Sequence, residues 1–210
     1  MADTKERILD SSLRLFNKYG LAEVSQRRIS DRMMISPGNL TYHFKKKEDI
    51  SQALYFRLVE KIDDLHKHIQ QGPLTLSVMA DFSQAMFRLF FEYRFIFLDF
   101  VQLMKNNNDL ASHYKQLLVQ RREQFIQIGQ LLIQQGILKP EEIEGEHDHL
   151  FTRTQIFTDF YLSSIEITTG GVNDSHLKSY LDLLMSSFYP YLTEKGKLEY
   201  LENYGDRKTS

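Results

Sequence analysis

Cysteine and tryptophan are both absent from the 210 residues, and the missing thiol removes disulfide scaffolds, zinc ribbons and cysteine nucleophiles from consideration. Proline occurs 4 times and glycine 10 times against 42% apolar residues. That is too little turn-forming material for a many-stranded β-fold and too much apolar material for a disordered chain. Long hydrophobic runs are missing as well. The most apolar stretch, Phe95 to Met104, is interrupted by Asp99 and Gln102, well short of the roughly 18 apolar residues a membrane span needs. The opening Met-Ala-Asp-Thr-Lys-Glu-Arg places acids where a signal peptide carries a basic and then an apolar run. The expectation is a soluble, cytoplasmic, globular protein without membrane contact and with enough chain to bury a sizeable core.

A net charge of −2 hides an asymmetry. Residues 1–50 hold ten Lys/Arg against seven Asp/Glu, whereas the remaining 160 hold sixteen against twenty-one. A basic head on an acidic body suits a head that meets a polyanion.

Apolar periodicity predicts helix almost throughout, so the expected fold class is all-α. Thr4 reads as the cap of a first helix that carries Ile8, Leu9, Leu13 and Phe16 and stops at Gly20. A second helix starts at Ser25 and runs to about Met33, and a short third one opens at Ser36-Pro37 and ends near His43. A fourth, about 46–70, carries Ile50, Leu54, Leu58, Ile62, Leu65 and Ile69 on one face until Gly72-Pro73. Further helices are expected at about 75–92, 93–105, 108–135, 146–169, 174–192 and 194–203.

Two short helices joined by a three- or four-residue turn form a helix-turn-helix, whose second helix enters the major groove. The chemistry of residues 36–43 agrees. Ser36, Asn39, Thr41, Tyr42 and His43 crowd hydrogen-bonding groups onto one short helix, where Asn can pair with adenine and Thr can offer its methyl to thymine. Tyr42 and His43 reach phosphates or base edges, or else pack as half-buried structural residues. Pro37 sits at the first helical position, and Gly38 removes a side chain where the helix terminus would approach a DNA backbone. Arg27, Arg28, Lys45, Lys46 and Lys47 supply cations around the patch. Leu40 and Phe44, at i and i+4, face the core of the head.

Residues 4–50 resemble the DNA-binding head of the TetR family of bacterial transcriptional regulators. The resemblance rests on Leu15-Phe16 with Gly20, then Ile29, then the run Gly38-Asn39-Leu40-Thr41-Tyr42-His43-Phe44, then Lys47-Glu48 and Ile50, in the family's order and spacing. It implies a homodimer that binds double-stranded DNA through residues 1–46, with a helical regulatory and dimerisation body over 47–203 and a flexible tail over 204–210. It also implies a repressor released by a small molecule. Three residues depart from the pattern. Met34 stands at a turn position where the family usually has Gly, Thr41 replaces the first aromatic of a Tyr-Tyr-His run, and Lys46 stands where a capping Ser or Asn would begin the fourth helix. An uncapped start leaves N–H groups free for an anion, so a DNA phosphate is expected there with Lys47 beside it.

The body is rich in aromatics, which pack as ordinary core or line a cavity for a small apolar or aromatic effector. The candidate ligand residues are Phe87, Phe91, Phe100, Gln102, Tyr114, Arg121, Phe125, Thr154 and Tyr161, with Asp99 and His113 as further polar groups. Arg121, which interrupts an apolar stripe, snorkels to solvent in the favoured reading and pairs an anion inside a pocket in the alternative. The helices at 146–169 and 174–192 are apolar on two sides, which suits a four-helix interface between two protomers. Its expected residues are Phe151, Ile156, Phe160, Ile167, Leu177, Tyr180, Leu181, Leu184 and Phe188.

Glu146-His147-Asp148-His149 reads as a solvated, acid-rich helix start, because alternate positions diverge around a helix. No metal, cofactor or catalytic grouping is expected, so the chain is read as a non-enzyme. Two other classes compete with the ligand-released regulator: a DNA binder that works without a ligand or with a protein partner, and a helical small-molecule or lipid carrier. A dimer that presents its third helices to successive major grooves would space them by about 34–36 Å on a near-palindromic site.

Overall fold

The computed structural model describes residues 4–69 and 74–204. Among them are eleven α-helices: α1 (Thr4–Tyr19), α2 (Gln26–Met33), α3 (Pro37–His43), α4 (Lys47–Ile69), α5 (Leu76–Glu92), α6 (Arg94–Leu98), α7 (Phe100–Asn106), α8 (Asn108–Gln134), α9 (Glu146–Thr169), α10 (His176–Phe188) and α11 (Glu194–Tyr204). The fold is all-α. The Gly72-Pro73 stop and residues 205–210 of the expected tail lie outside the described residues. Tyr204, the first residue of that tail, instead closes α11 and is buried, with its hydroxyl donating to the Leu76 carbonyl at 3.2 Å.

Local chemistry sets the head. Thr4 is already helical rather than a cap. Gly20, at φ +80°, takes the left-handed position that ends α1. Ser25 Oγ accepts from the Arg28 amide at 3.2 Å and Ser36 Oγ from the Asn39 amide at 3.1 Å, so both short helices begin on hydroxyl caps. Between them Met34 adopts φ 55°, ψ 41°. Its amide donates to the Asp31 carbonyl and the next one, from Ile35, to the Ser30 carbonyl. The turn is therefore built in the left-handed form without the usual glycine, and the strain is retained rather than avoided. Ile8, Phe16, Ile29, Leu40 and Ile50 are each at most 1% exposed and form the centre of the head.

α4 continues from that centre into the body, where Tyr55, Leu58, Val59 and Ile62 are buried on the same face. There α4 packs on α5, α5 on α10 and α11, and α6 and α8 on α9. The single helix expected over 93–105 is broken at Asp99 (φ −104°, ψ 17°) into α6 and α7. A Leu138–Leu192 bridge joins the α8–α9 loop to the segment before α11. Gly196 is needed beside it, since a Cβ there would meet the Ile137 carbonyl oxygen at 2.3 Å.

Candidate DNA interface and ligand cavity

α3 carries two unlike faces. Leu40 is 1% and Phe44 5% exposed, whereas Tyr42 is 85% exposed. Ser36, Pro37, Gly38, Asn39 and Thr41 are exposed with Tyr42, and His43 is half-buried. The Thr41 hydroxyl donates to the Pro37 carbonyl at 2.9 Å, which leaves its methyl group and the oxygen's lone pairs for an external partner. Tyr42 sets its ring edge-on to His43 at 5.2 Å. Arg27 and Arg28 are exposed on α2, where the Arg28 guanidinium stacks 3.7 Å above the Tyr19 ring. Exposed Lys45 and Lys46 flank the other side, and Arg32, not anticipated as a contact, adds an exposed cation on α2.

Lys47 does not stand beside an open helix terminus. Its ammonium donates to the Leu21 carbonyl at 2.7 Å and lies 3.4 Å from that of Ala22. The Lys46 amide donates to the Asp49 carboxylate at 3.1 Å, so a side chain three residues on closes the helix start and places a negative charge there. Both observations correct the expected phosphate site.

Several polar contacts join head to body. Asn17 donates to the Glu92 carbonyl at 2.7 Å and accepts from the Phe95 amide at 3.1 Å. Arg57 of α4 donates to Asp10 at 2.7 Å and to the Tyr93 hydroxyl at 2.9 Å. Asp99, considered for the pocket, accepts from the Leu21 amide instead.

The body holds a cavity of about 280 Å³, overwhelmingly apolar, between α4, α5, α8, α9 and α10. That is near the lower end of the range for small-molecule sites, about 300–1,000 Å³. Phe100, Tyr114, Arg121, Phe125 and Thr154 line it. The other four expected ligand residues lie elsewhere. Phe87 is buried against Tyr180, Phe91 sits near Arg94 outside the cavity, Gln102 is exposed and donates to Asn106, and the Tyr161 hydroxyl donates to the His176 carbonyl. His113 pairs with the Tyr55 hydroxyl at 3.0 Å.

Arg121 does not snorkel free. Its side chain is 15% exposed, lines the cavity, and is ion-paired with Asp63 of α4 while donating to Gln124 at 2.9 Å. Sequence reasoning missed Asp159, whose carboxylate lines the cavity and accepts through Oδ2 from the Tyr114 hydroxyl and the Gln155 amide. Burial pushes Asp159 above the ordinary aspartate range, and burial with the adjacent Asp159 charge pushes the Tyr114 hydroxyl far up. Burial, aided by the Asp159 charge and opposed by Arg121, raises the Tyr55 phenol to about 12, and burial with the nearby Arg121 cation draws His66 below the usual histidine value. A detectable signal was there: a lone acid between Phe157 and Phe160, one turn after Gln155. The helix start at 146–149 also departs from expectation, because His147 is 9% exposed and lines the cavity while Asp148 pairs with Arg122.

Of the nine residues expected at a protomer interface, Ile156, Phe160 and Ile167 are exposed, at 52%, 40% and 84%. Tyr180, Leu181, Leu184 and Phe188 are buried within the protomer, Leu177 packs against its core, and Phe151 lines the cavity with its ring 5.6 Å from Phe125. The apolar side of α10 is consumed by the protomer's own core; Leu183, 54% exposed, is what that helix leaves outside.

Residues 8–54 match the family described as bacterial regulatory proteins, tetR family, and residues 57–200 match one described as bacterial transcriptional repressor. The fold is similar to that of a TetR-family transcriptional regulator from Marinobacter aquaeolei VT8, with 24% identity over 97% of this chain and 98% of the other and a TM-score of 0.88. It is also similar to a Saccharomonospora viridis protein in complex with choline, at 18% identity over 92% of this chain and 100% of that one, TM-score 0.71. A third likeness is to the SmeT–triclosan complex, at 17% identity over 91% and 92% of the two chains, TM-score 0.63.

Proposed function

We propose, on the premise that the chain belongs to the TetR family of DNA-binding bacterial transcriptional regulators, that it is a homodimeric repressor released from a near-palindromic operator by a small apolar or aromatic molecule. It would act in the cytoplasm, on double-stranded DNA. The observation that carries this reading is the double duty of α4. Ile50 and Leu54 belong to the head's centre, while Tyr55, Leu58, Val59 and Ile62 line the cavity. A molecule entering the cavity therefore touches the helix on which the head is built, and its leverage equals its difference in affinity for the two arrangements of the heads.

Residues 1–46 serve as the head and 47–203 as the body in this reading, with α4 common to both in packing. Ser36, Asn39, Thr41 and Tyr42 read base edges, and Arg27 and Arg28 hold phosphates. The choline and triclosan complexes of the two fold relatives support a body that accommodates small molecules. The exposed Ile156, Phe160 and Ile167 on α9, with Leu183 on α10, form an apolar surface suited to a second copy.

Selecting bound duplexes from a random pool tests the reading. Inverted half-sites separated by about one helical turn, 34–36 Å, are the expected product. Recovery of no duplex, or of one isolated half-site, would overturn it, as would a monomer mass in light scattering at micromolar concentration.

A further inference from the structure

The charges around the cavity do not cancel. Arg121 is already satisfied by Asp63 and Gln124. Asp159 faces the same space, and among the described residues no lysine, arginine or histidine forms an ion pair with it. Its two neutral donors, Tyr114 and Gln155, both land on Oδ2, and among the described residues no donor reaches Oδ1. Thr154, one turn before Thr158, has its hydroxyl oxygen buried with no hydrogen-bond partner, and the Nε2 of His147, a residue 9% exposed, is in the same condition. Both residues line this cavity. A carboxylate in an apolar chamber without a counter-ion is costly unless a cation enters with the ligand. Aromatic walls add favourable faces for that cation.

We propose that the effector is an apolar or aromatic molecule with a single positive charge, an alkylamine or arylalkylamine, whose ammonium group binds the Asp159 carboxylate. The hydrocarbon part fills the space walled by Phe100, Phe125 and Leu58. Oδ1 of Asp159 accepts one ammonium N–H. Among the described residues no lysine or arginine lining the cavity is left unpaired, so an anionic effector meets the carboxylate instead. The assignment rests on reading the cavity as the effector site.

Three isosteric probes separate the charge classes: 4-phenylbutylamine, 4-phenylbutan-1-ol and 4-phenylbutanoate, titrated into the full-length protein by calorimetry at pH 7. The amine binds most tightly and the carboxylate least. Asp159→Asn weakens the amine by about 10- to 100-fold, the factor expected for losing a charged hydrogen bond, and weakens the alcohol far less. The assignment is overturned if the carboxylate binds as well as the amine, if none of the three binds, or if Asp159→Asn leaves amine affinity intact. The wild-type series alone decides the matter if that variant fails to fold. Operator retention measured in parallel separates the two readings. Amine binding through Asp159 without DNA release keeps the assignment and overturns ligand release, whereas release by the carboxylate probe overturns the assignment and keeps ligand release.

Discussion

The Asp99 carboxylate accepts the backbone N–H of Leu21 at 3.1 Å, across 78 positions of chain. The carbonyl of that same Leu21 accepts from the Lys47 ammonium at 2.7 Å. One residue of the loop between α1 and α2 is thus held by the break between α6 and α7 and by the first turn of α4. Phe97 and Phe100, two residues before and one after Asp99, line the cavity. A shift of that wall reaches the α1–α2 loop through this hydrogen bond, beside the Asn17 bond to the Phe95 amide. Asp99→Ala should speed hydrogen exchange at the Leu21 amide and lower stability by about 1–2 kcal/mol, the value of a partly exposed charged hydrogen bond. Unchanged Leu21 protection would mean that packing and the Lys47 bond hold the loop without Asp99.

Cations that hold phosphates and cations that hold the protein predict different salt behaviour. Arg28 is exposed and stacked on Tyr19, free to turn its guanidinium outward. Arg28→Ala should weaken operator binding and flatten the log–log salt slope by about 1, as expected for one lost phosphate contact. Lys47 spends its charge on two carbonyls. Lys47→Ala should lower the melting temperature and operator affinity yet leave the slope unchanged. Equal loss of slope in the two variants, read by titrations across a salt series, would return Lys47 to the phosphate backbone.

Met34 holds a left-handed backbone while the residue is 93% exposed, so packing returns little for the strain. For a non-glycine residue that conformation costs about 1–2 kcal/mol. Met34→Gly should recover part of this, and thermal denaturation should rise by about 2–4 °C per kcal/mol for a chain of this size. A lower melting temperature would show that the exposed side chain makes contacts worth more than the strain.

What could be read before the fold was known follows a physical division. The head's helices announced themselves because their ends are chemical: Gly20, Ser25 and Ser36-Pro37 fix boundaries through local hydrogen bonds and allowed dihedrals. The break at Asp99 was invisible because a bond to Leu21, far away in sequence, accompanies it. Periodicity along α10 identified an apolar side without saying whose core would bury it, and Tyr180, Leu181, Leu184 and Phe188 went to their own protomer. An aromatic stripe likewise does not distinguish Phe87 in solid core from Phe100 on a cavity wall. Gly196 carries no local sign at all, since its need arises from a carbonyl 59 positions earlier.

Asp159 makes a prediction about pH that does not depend on any ligand. Its ordinary value is near 3.8, and burial raises it in the folded protein against the opposing donors Tyr114 and Gln155. A carboxyl with a raised folded value binds its proton more tightly in the native state than in the unfolded one. Its contribution to stability is therefore greatest below the unfolded value and declines as pH rises through the window up to the folded one. Asp159→Asn abolishes this titration while keeping shape and an acceptor for Tyr114. The free variant should match the wild type most closely near pH 4 and become the more stable of the two by pH 7, because the wild type alone loses stability across that interval. Chemical denaturation of both proteins at pH 4, 5.5 and 7 measures the difference directly. A gap that stays constant or narrows towards neutral pH would mean that Asp159 is ionised at ordinary cost, its charge already met by the hydrogen bonds from Tyr114 and Gln155.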